Sequence, residues 1–298
     1  MKVGFIGCVE SSLMAIKTLL KMKDYGIEVV AVITKKQSSY NADYVNLSDV
    51  CEQYNIPCHF EDSKKKGESV KFMRSYQTDV IYCFGWSYLL ANEFLTMAPK
   101  GAIGFHPAKL PQNRGRHPII WTLALGLKVT ASTFFRMEEG ADTGPILSQI
   151  DIPVKPDDNA KDLYQNILDK AQLQIRQFTL DLVNDVAIYI EQEHGKATTW
   201  RKRSRKDGLI DWRMRAEDIY NLVRALSKPY PGAEFEYLGN LIPVWQSTIC
   251  IEQFPINIEP GYILEIMNSS ILVKSGGNTA IWLLSVEMSP LPRSGEYL

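Results

Sequence analysis

Nowhere in the 298-residue chain do about 18 apolar residues follow one another, the length a membrane-spanning helix needs. The opening Met-Lys-Val-Gly-Phe-Ile-Gly is too short an apolar stretch for a signal peptide, so a cytoplasmic protein is expected. Cysteines are few and unpaired in pattern. Cys8, Cys51, Cys58, Cys83 and Cys250 make an odd count, with no C-x-x-C and no Cys/His cluster at zinc spacing. Neither a disulfide framework nor a structural zinc is suggested, and reduced, mostly core thiols are expected. Excess charge is missing as well: 33 Lys+Arg against 34 Asp+Glu leave a net charge of -1. The chain as a whole is therefore no general polyanion binder, and a nucleic-acid role would need a local basic patch. Internal repeats and low-complexity segments are absent. What is present, 45% hydrophobic and 22% charged residues, belongs to an ordinary globular protein of one or two domains.

Residues 2–6 form a short apolar run, and after a loop Leu13, Ile16, Leu19 and Leu20 recur at helical spacing. A β-branched run at 29–33, a helical pattern at 45–54, an apolar stretch at 56–60, the solvated run Lys64-Lys65-Lys66 before another helix, and an apolar segment at 80–84 continue the alternation. Strand and helix taking turns predict a parallel α/β sheet. Ligands of such sheets sit beyond the carboxyl ends of the strands, which directs attention to the loops after Ile6, Cys83 and Gly104. Gly4 and Gly7 imitate a dinucleotide fingerprint, but Gly-Phe-Ile-Gly-Cys-Val-Glu-Ser lacks G-x-G-x-x-G, so no NAD site is expected. From 157 to 186 a long helix is predicted, with Leu163, Ile167, Ala171, Ile175 and Phe178 near one face. Composition then shifts to a polar stretch where Arg201, Lys202, Arg203, Arg205 and Lys206 crowd together. Beyond it come a helix at 216–226 and strand-like runs at 242–245, 262–267, 271–274 and 280–286. The predicted division is a catalytic domain at 1–190, a linker at 191–208, and a helix with a small β-rich, OB-like domain at 209–298.

The segment from Gly101 to Trp121 reads as a short strand, a loop stiffened by Pro107, Pro111 and Gly115, and a helix opening near Pro118. His106 stands where the strand ends. Such a loop can hold an imidazole in one geometry for acid/base chemistry, and it equally fits a capping histidine in a tight turn. Downstream, Met137-Glu-Glu-Gly-Ala-Asp-Thr-Gly-Pro-Ile-Leu147 leaves Asp142 among small residues, where a carboxylate can approach a ligand and a histidine or simply stabilise a turn.

His-Pro-Ala-Lys-Leu-Pro with Arg-Gly soon after, then Glu-Gly-Ala-Asp-Thr-Gly, resembles the folate-dependent formyltransferase family. Ile-Asp-Trp at 210–212, Ile-Tyr-Asn-Leu-Val-Arg-Ala at 219–225 and Pro-Tyr-Pro-Gly-Ala at 229–233 are similar to the junction in methionyl-tRNA formyltransferases and nucleotide-sugar N-formyltransferases. The likeness runs along nearly the whole chain. It implies a Rossmann-like formyltransferase domain, 10-formyltetrahydrofolate as co-substrate, no metal, and an Asn/His/Asp trio acting on a tetrahedral adduct. The His falls on His106 and the Asp on Asp142, whereas the usual Asn position, two before the His, is Gly104. Glycine offers no side-chain donor to the oxyanion, and Asn113 is the expected substitute, with Arg116 and His117 in the same loop.

The resemblance also implies a folate slot at Phe84, Gly85, Trp86, Leu89 and Leu90, with Gly140 and Asp142 opposite; Trp86 and Leu89 as plain core residues is the competing reading. Glycinamide ribonucleotide formyltransferases generally end soon after the first domain, whereas this chain continues. The Arg-His-Pro loop and Arg-Ala-Leu-Ser-Lys-Pro-Tyr-Pro-Gly-Ala look more like the nucleotide-sugar branch. On that reading the acceptor is a nucleotide-linked amino sugar, met by Ser11, Ser12, Arg114, Arg201 and Lys202. Methionyl-tRNA formyltransferase, with the basic cluster on phosphates, and a folate-binding pseudoenzyme, motivated by Gly104, are the alternatives. A homodimer is compatible with apolar residues in the β-rich tail.

Overall fold

The apolar runs of the first hundred residues become the parallel part of a sheet because helix-forming segments between them are able to cover it. The computed structural model describes residues 1–38, 42–62, 65 and 67–298, so Lys64 and Lys66 of the lysine run lie outside the described residues. Along the chain come β1 (Lys2–Ile6), α1 (Glu10–Leu20), β2 (Glu28–Thr34), α2 (Ser48–Gln53), β3 (Cys58–Phe60), α3 (Glu68–Arg74), β4 (Val80–Cys83), α4 (Asn92–Thr96) and β5 (Ala102–His106). There follow β6 (Arg114–Gly115), α5 (Pro118–Ala124), β7 (Val129–Arg136), β8 (Ile146–Pro153), α6 (Ala160–Val183) and β9 (Thr199–Trp200). The remainder holds α7 (Ala216–Ala225), β10 (Ala233–Tyr237), β11 (Asn240–Ile249), β12 (Ile263–Met267), β13 (Ser270–Lys274) and β14 (Ala280–Val286).

The large sheet has the order β3-β2-β1-β4-β5-β7-β8. Strands β1 to β5 pair in parallel, as the βα alternation predicts, and β7 then runs antiparallel to β5, with His106 opposite Thr133 and Gly104 opposite Phe135. The sheet is therefore parallel-dominated rather than wholly parallel. Both faces of the parallel part are covered, which is why its strands read as continuous apolar runs. On one face Ile175 and Phe178 of α6 meet Phe5, Tyr82, Phe84 and Phe134; on the other Met73 and Phe94 meet Ile6, Ile81 and Cys83. The strand order reverses between β1 and β4, and there two glycines let the loops cross. A Cβ on Gly7 would lie 2.3 Å from the Phe84 carbonyl oxygen, and one on Gly85, at φ 69°, 2.0 Å from Val9. Ordinary side chains at these positions would force the two loops apart.

The chain divides into two compact units: 1–115 with 131–152 and 166–199, and 116–130 with 153–165 and 200–298. The second unit thus recruits two pieces that lie among the segments of the first. Arg224 of α7 explains one recruitment, its Nη1 donating to the carbonyls of Lys155 (3.1 Å) and Asp158 (2.9 Å). Its strands form one antiparallel sheet in the order β10-β11-β14-β13-β12, including β10, which has no counterpart in the predicted runs. No described helix is long and apolar enough to cross a membrane. The five cysteines are all free thiols.

Candidate active site

His106 ends β5 with its ring 4% exposed. Nε2 lies 2.7 Å from the main-chain oxygen of Asn113. A carbonyl only accepts, so the proton of the neutral ring sits on Nε2 and the lone pair on Nδ1. Nδ1 faces Asp142 Oδ2 at 3.5 Å. The same carboxylate oxygen accepts from the Gly115 amide at 2.9 Å. The loop after β7 folds back over β5 to bring Asp142 there, and Asp142 (φ 57°) and Asn113 (φ 64°) both occupy the left-handed region that Asp and Asn tolerate best among side-chain-bearing residues. His106 and Asn113, from the Gly101–Trp121 segment, and Asp142, from the stretch at 137–147, are brought together.

Asn113 meets His106 through its main chain; among the described residues no hydrogen bond is recorded for its side-chain amide. At Gly104, on the same strand face as His106, a Cβ would lie 2.9 Å from both Met137 Cγ and Phe135 Cζ. The space a side chain would take is already filled by an aromatic ring and a methionine. Gly104→Asn is accordingly expected to lower stability by about 1–3 kcal/mol through overpacking, read as a lower Tm, without raising turnover. An unchanged Tm would show that the pocket has room.

The predicted folate slot divides. Trp86, Leu89 and Leu90 line a cavity of about 1330 Å³ with Lys35, Phe60 and Tyr88, beyond the carboxyl ends of β2, β3 and β4. Lys35 Nζ sits 4.0 Å from the Tyr88 ring centroid and 4.9 Å from that of Trp86. Trp86 and Leu89 thus line the cavity, Trp86 half-buried against the core beneath it and Leu89 exposed. Phe84 corrects the expectation: its ring is 1% exposed, packed on Phe5, Tyr82, Phe105 and Phe134, and its carbonyl accepts from Ser12 Oγ at 2.6 Å. Gly85 packs on Val9 instead of opening to the cavity, and Gly140 and Asp142 are not among the cavity's lining residues. Asn92 Nδ2 nevertheless donates to Glu139 Oε1 (3.0 Å), tying the segment that follows the Trp86 loop to the loop that carries Asp142.

Three expected acceptor contacts are spent inside the protein. Ser12 is fully buried and, besides Phe84, accepts from Val9 N at 3.1 Å; Ser11 is buried beside it. Ser12 ties the β1 and β4 loops together, and neither buried serine presents an exposed hydroxyl to a ligand. Arg114 is 8% exposed, and its guanidinium donates to Gln192 Oε1 and His194 Nδ1, so it is not free for a pyrophosphate. Arg201 and Lys202 belong to the second unit, where both are exposed. Arg201 pairs with Asp207 and lies over the Trp121 ring, which Arg203 also faces at 4.7 Å.

His117 stands in this basic neighbourhood. Burial first, then Arg116, Arg203 and Lys202, hold its pKa below the ordinary histidine value, against a weaker pull from Asp207. The folded state thus binds fewer protons at His117 than the unfolded chain, so stability falls as pH drops below about 6.5. His117→Asn, which tolerates the local φ of 56°, should flatten the loss of Tm between about pH 7 and 5. An unaltered slope would remove His117 from the account.

With the geometry in place, the comparisons give the class. A model described as "Formyl transferase" matches residues 1–178, and one described as "Formyl transferase, C-terminal domain" matches 202–290. The chain belongs to the formyl transferase family. A curated relative, the bifunctional polymyxin resistance protein ArnA of Wigglesworthia glossinidia brevipalpis, is 31% identical over 290 residues; the match covers 96% of this chain and 41% of that protein, so the chain spans about two-fifths of its length. Among solved structures, WlaRD, a sugar 3N-formyl transferase crystallised with dTDP and 5-N-formyl-THF, aligns with a TM-score of 0.70 at 16% identity, covering 95% of this chain and 96% of that one. The N-formyltransferase of Helicobacter canadensis, in complex with folinic acid and dTDP-3-aminofucose, aligns with a TM-score of 0.70 at 17% identity, covering 95% and 98%. At these identities the structural matches establish the shared fold.

Gln192, His194 and Thr198 carry no signal that sequence reasoning could have found. They lie in a polar stretch without periodicity, and nothing local marks a glutamine as the partner of a loop fifty residues upstream.

Proposed function

We propose that the protein transfers a formyl group from 10-formyltetrahydrofolate to the amine of a nucleotide-linked amino sugar. The observation that carries this reading is His106, pinned at Nε2 by Asn113 and facing Asp142 at Nδ1, within a formyl transferase domain. The acceptor amine attacks the formyl carbon; a C–N bond forms, the carbonyl oxygen becomes an oxyanion, and the nitrogen must lose a proton. His106 Nδ1 takes that proton, and the imidazolium is then held by the Asn113 carbonyl on one side and the Asp142 carboxylate on the other. Collapse expels the folate nitrogen, which receives a proton by the same route. The free amide of Asn113 meets the oxyanion in place of the residue missing at Gly104.

The donor binds where Trp86, Leu89 and Leu90 supply apolar surface, in a cavity whose Asn92 side is tied through Glu139 to the loop that carries Asp142. The acceptor class is supported by the dTDP crystallised with WlaRD and the dTDP-3-aminofucose of the Helicobacter canadensis enzyme. The unit made of 1–115, 131–152 and 166–199, which holds His106, Asp142 and Asn113, carries the catalysis, and the protein works in the cytoplasm.

A thermal-shift panel of dTDP-, UDP- and GDP-linked amino sugars beside charged initiator tRNA tests the acceptor, since a selective ligand raises Tm by mass action. One nucleotide amino sugar should raise Tm and then be formylated, with shallow salt dependence, because few phosphates are contacted. Formylation of initiator tRNA with no sugar turned over would overturn the reading. Asn113→Gly keeps the left-handed backbone while deleting the amide; kcat should fall about 10²- to 10³-fold, and an unchanged kcat would mean another group meets the oxyanion.

A further inference from the structure

Gln192 is 6% exposed, and its amide uses every hydrogen-bonding position it has. Nε2 donates to the main-chain oxygens of Asp142 (2.9 Å) and Gly144 (2.6 Å). Oε1 accepts from Arg114 Nη2 (2.6 Å) and Nε (3.2 Å). Arg114 is itself buried, and its Nη2 also donates to His194 Nδ1 at 3.0 Å. One amide thus grips the backbone at Asp142 and again two residues later, on a loop whose aspartate sits at φ 57° and needs its conformation held from outside.

The same strap reaches the other half of the site. Thr198 Oγ1 accepts from Asn113 N at 2.9 Å, and the Thr198 carbonyl from Arg114 N at 3.0 Å. Residues 192–198 therefore hold both loops whose separation sets the distance from His106 Nδ1 to Asp142 Oδ2.

We propose that Gln192, braced by the Arg114 guanidinium, is a positioning residue that sets the Asp142 carboxylate against His106 for formyl transfer. It touches no reacting atom; its contribution is the register between the two loops. The inference rests on the functional reading above.

Gln192→Glu separates positioning from general support. The substitution is nearly isosteric and keeps an acceptor for Arg114, but it loses both donors and sets carboxylate oxygens against the carbonyls of Asp142 and Gly144. At saturating substrates kcat should fall about 10- to 100-fold, because a small displacement of a reacting pair is enough, while the KM for the folate donor changes less than about 3-fold. In the Asp142→Asn background the same substitution should cost less than about 2-fold, since the group it positions is already gone. Multiplying penalties in the double variant would overturn the proposal, as would wild-type kcat in Gln192→Glu.

Imidazole NMR of the folded protein, whose histidines are His59, His106, His117 and His194, gives a readout without turnover. The His106 Nδ1 resonance should move in Gln192→Glu in the same sense as in Asp142→Asn, and an unmoved resonance would also overturn the proposal. If it moves as expected while the wild-type protein formylates none of the amino-sugar nucleotides, the functional reading fails and the positioning of Asp142 by Gln192 stands.

Discussion

His106→Ala is expected to lower kcat by about two to four orders of magnitude, the range for a lost general acid/base, while affinity for the folate donor changes little. The reason is the separation of parts: the imidazole lies between Asn113 and Asp142, whereas Trp86, Leu89 and Leu90 line a cavity built from other loops. Because the ring is buried, Tm should be measured beside activity, and His106→Gln serves as a variant that refills most of the volume. Retention of more than roughly a tenth of wild-type turnover, equivalent to about 1.4 kcal/mol of barrier, would overturn the assignment.

Asp142→Asn should lower kcat by about 10²-fold or more with the fold intact. Asparagine accepts the left-handed backbone at this position and offers an oxygen to the Gly115 amide, so the loop keeps its shape. What disappears is the carboxylate charge 3.5 Å from His106 Nδ1, which the proposed proton transfer uses. The pH profile of kcat should therefore change along with its height. A normal rate with an unshifted profile would mean that the loop's geometry is what matters and not its charge.

The expected folate slot shows how far local patterns carry. The apolar run ending at Phe84 is legible as a strand, and the loop after it as a ligand site, because a strand end in an α/β sheet has few other uses. Which residues of that loop face a ligand is decided by packing: Phe84 turns into an aromatic cluster with Phe5, Tyr82, Phe105 and Phe134, while Trp86 and Tyr88 turn out to flank Lys35. Arg114 gives the opposite lesson. An arginine in a Gly/Pro loop reads as an anion contact, yet a glutamine far along the chain claims its guanidinium.

The sequence by itself determined the alternation that builds β1 to β5, the long helix α6, and the placing of His106 and Asp142 in Pro- and Gly-stiffened loops. These depend on periodicity and turn chemistry, whose range is a few residues. Only the tertiary structure decided that β7 runs against β5, that Phe135 and Met137 fill the space above Gly104, that Ser12 ties two loops together, and that Gln192 clasps the Asp142 loop. Each of these joins residues brought into contact by the order of strands in the sheet, and that order follows from the summed burial of many side chains, not from any short stretch of chain.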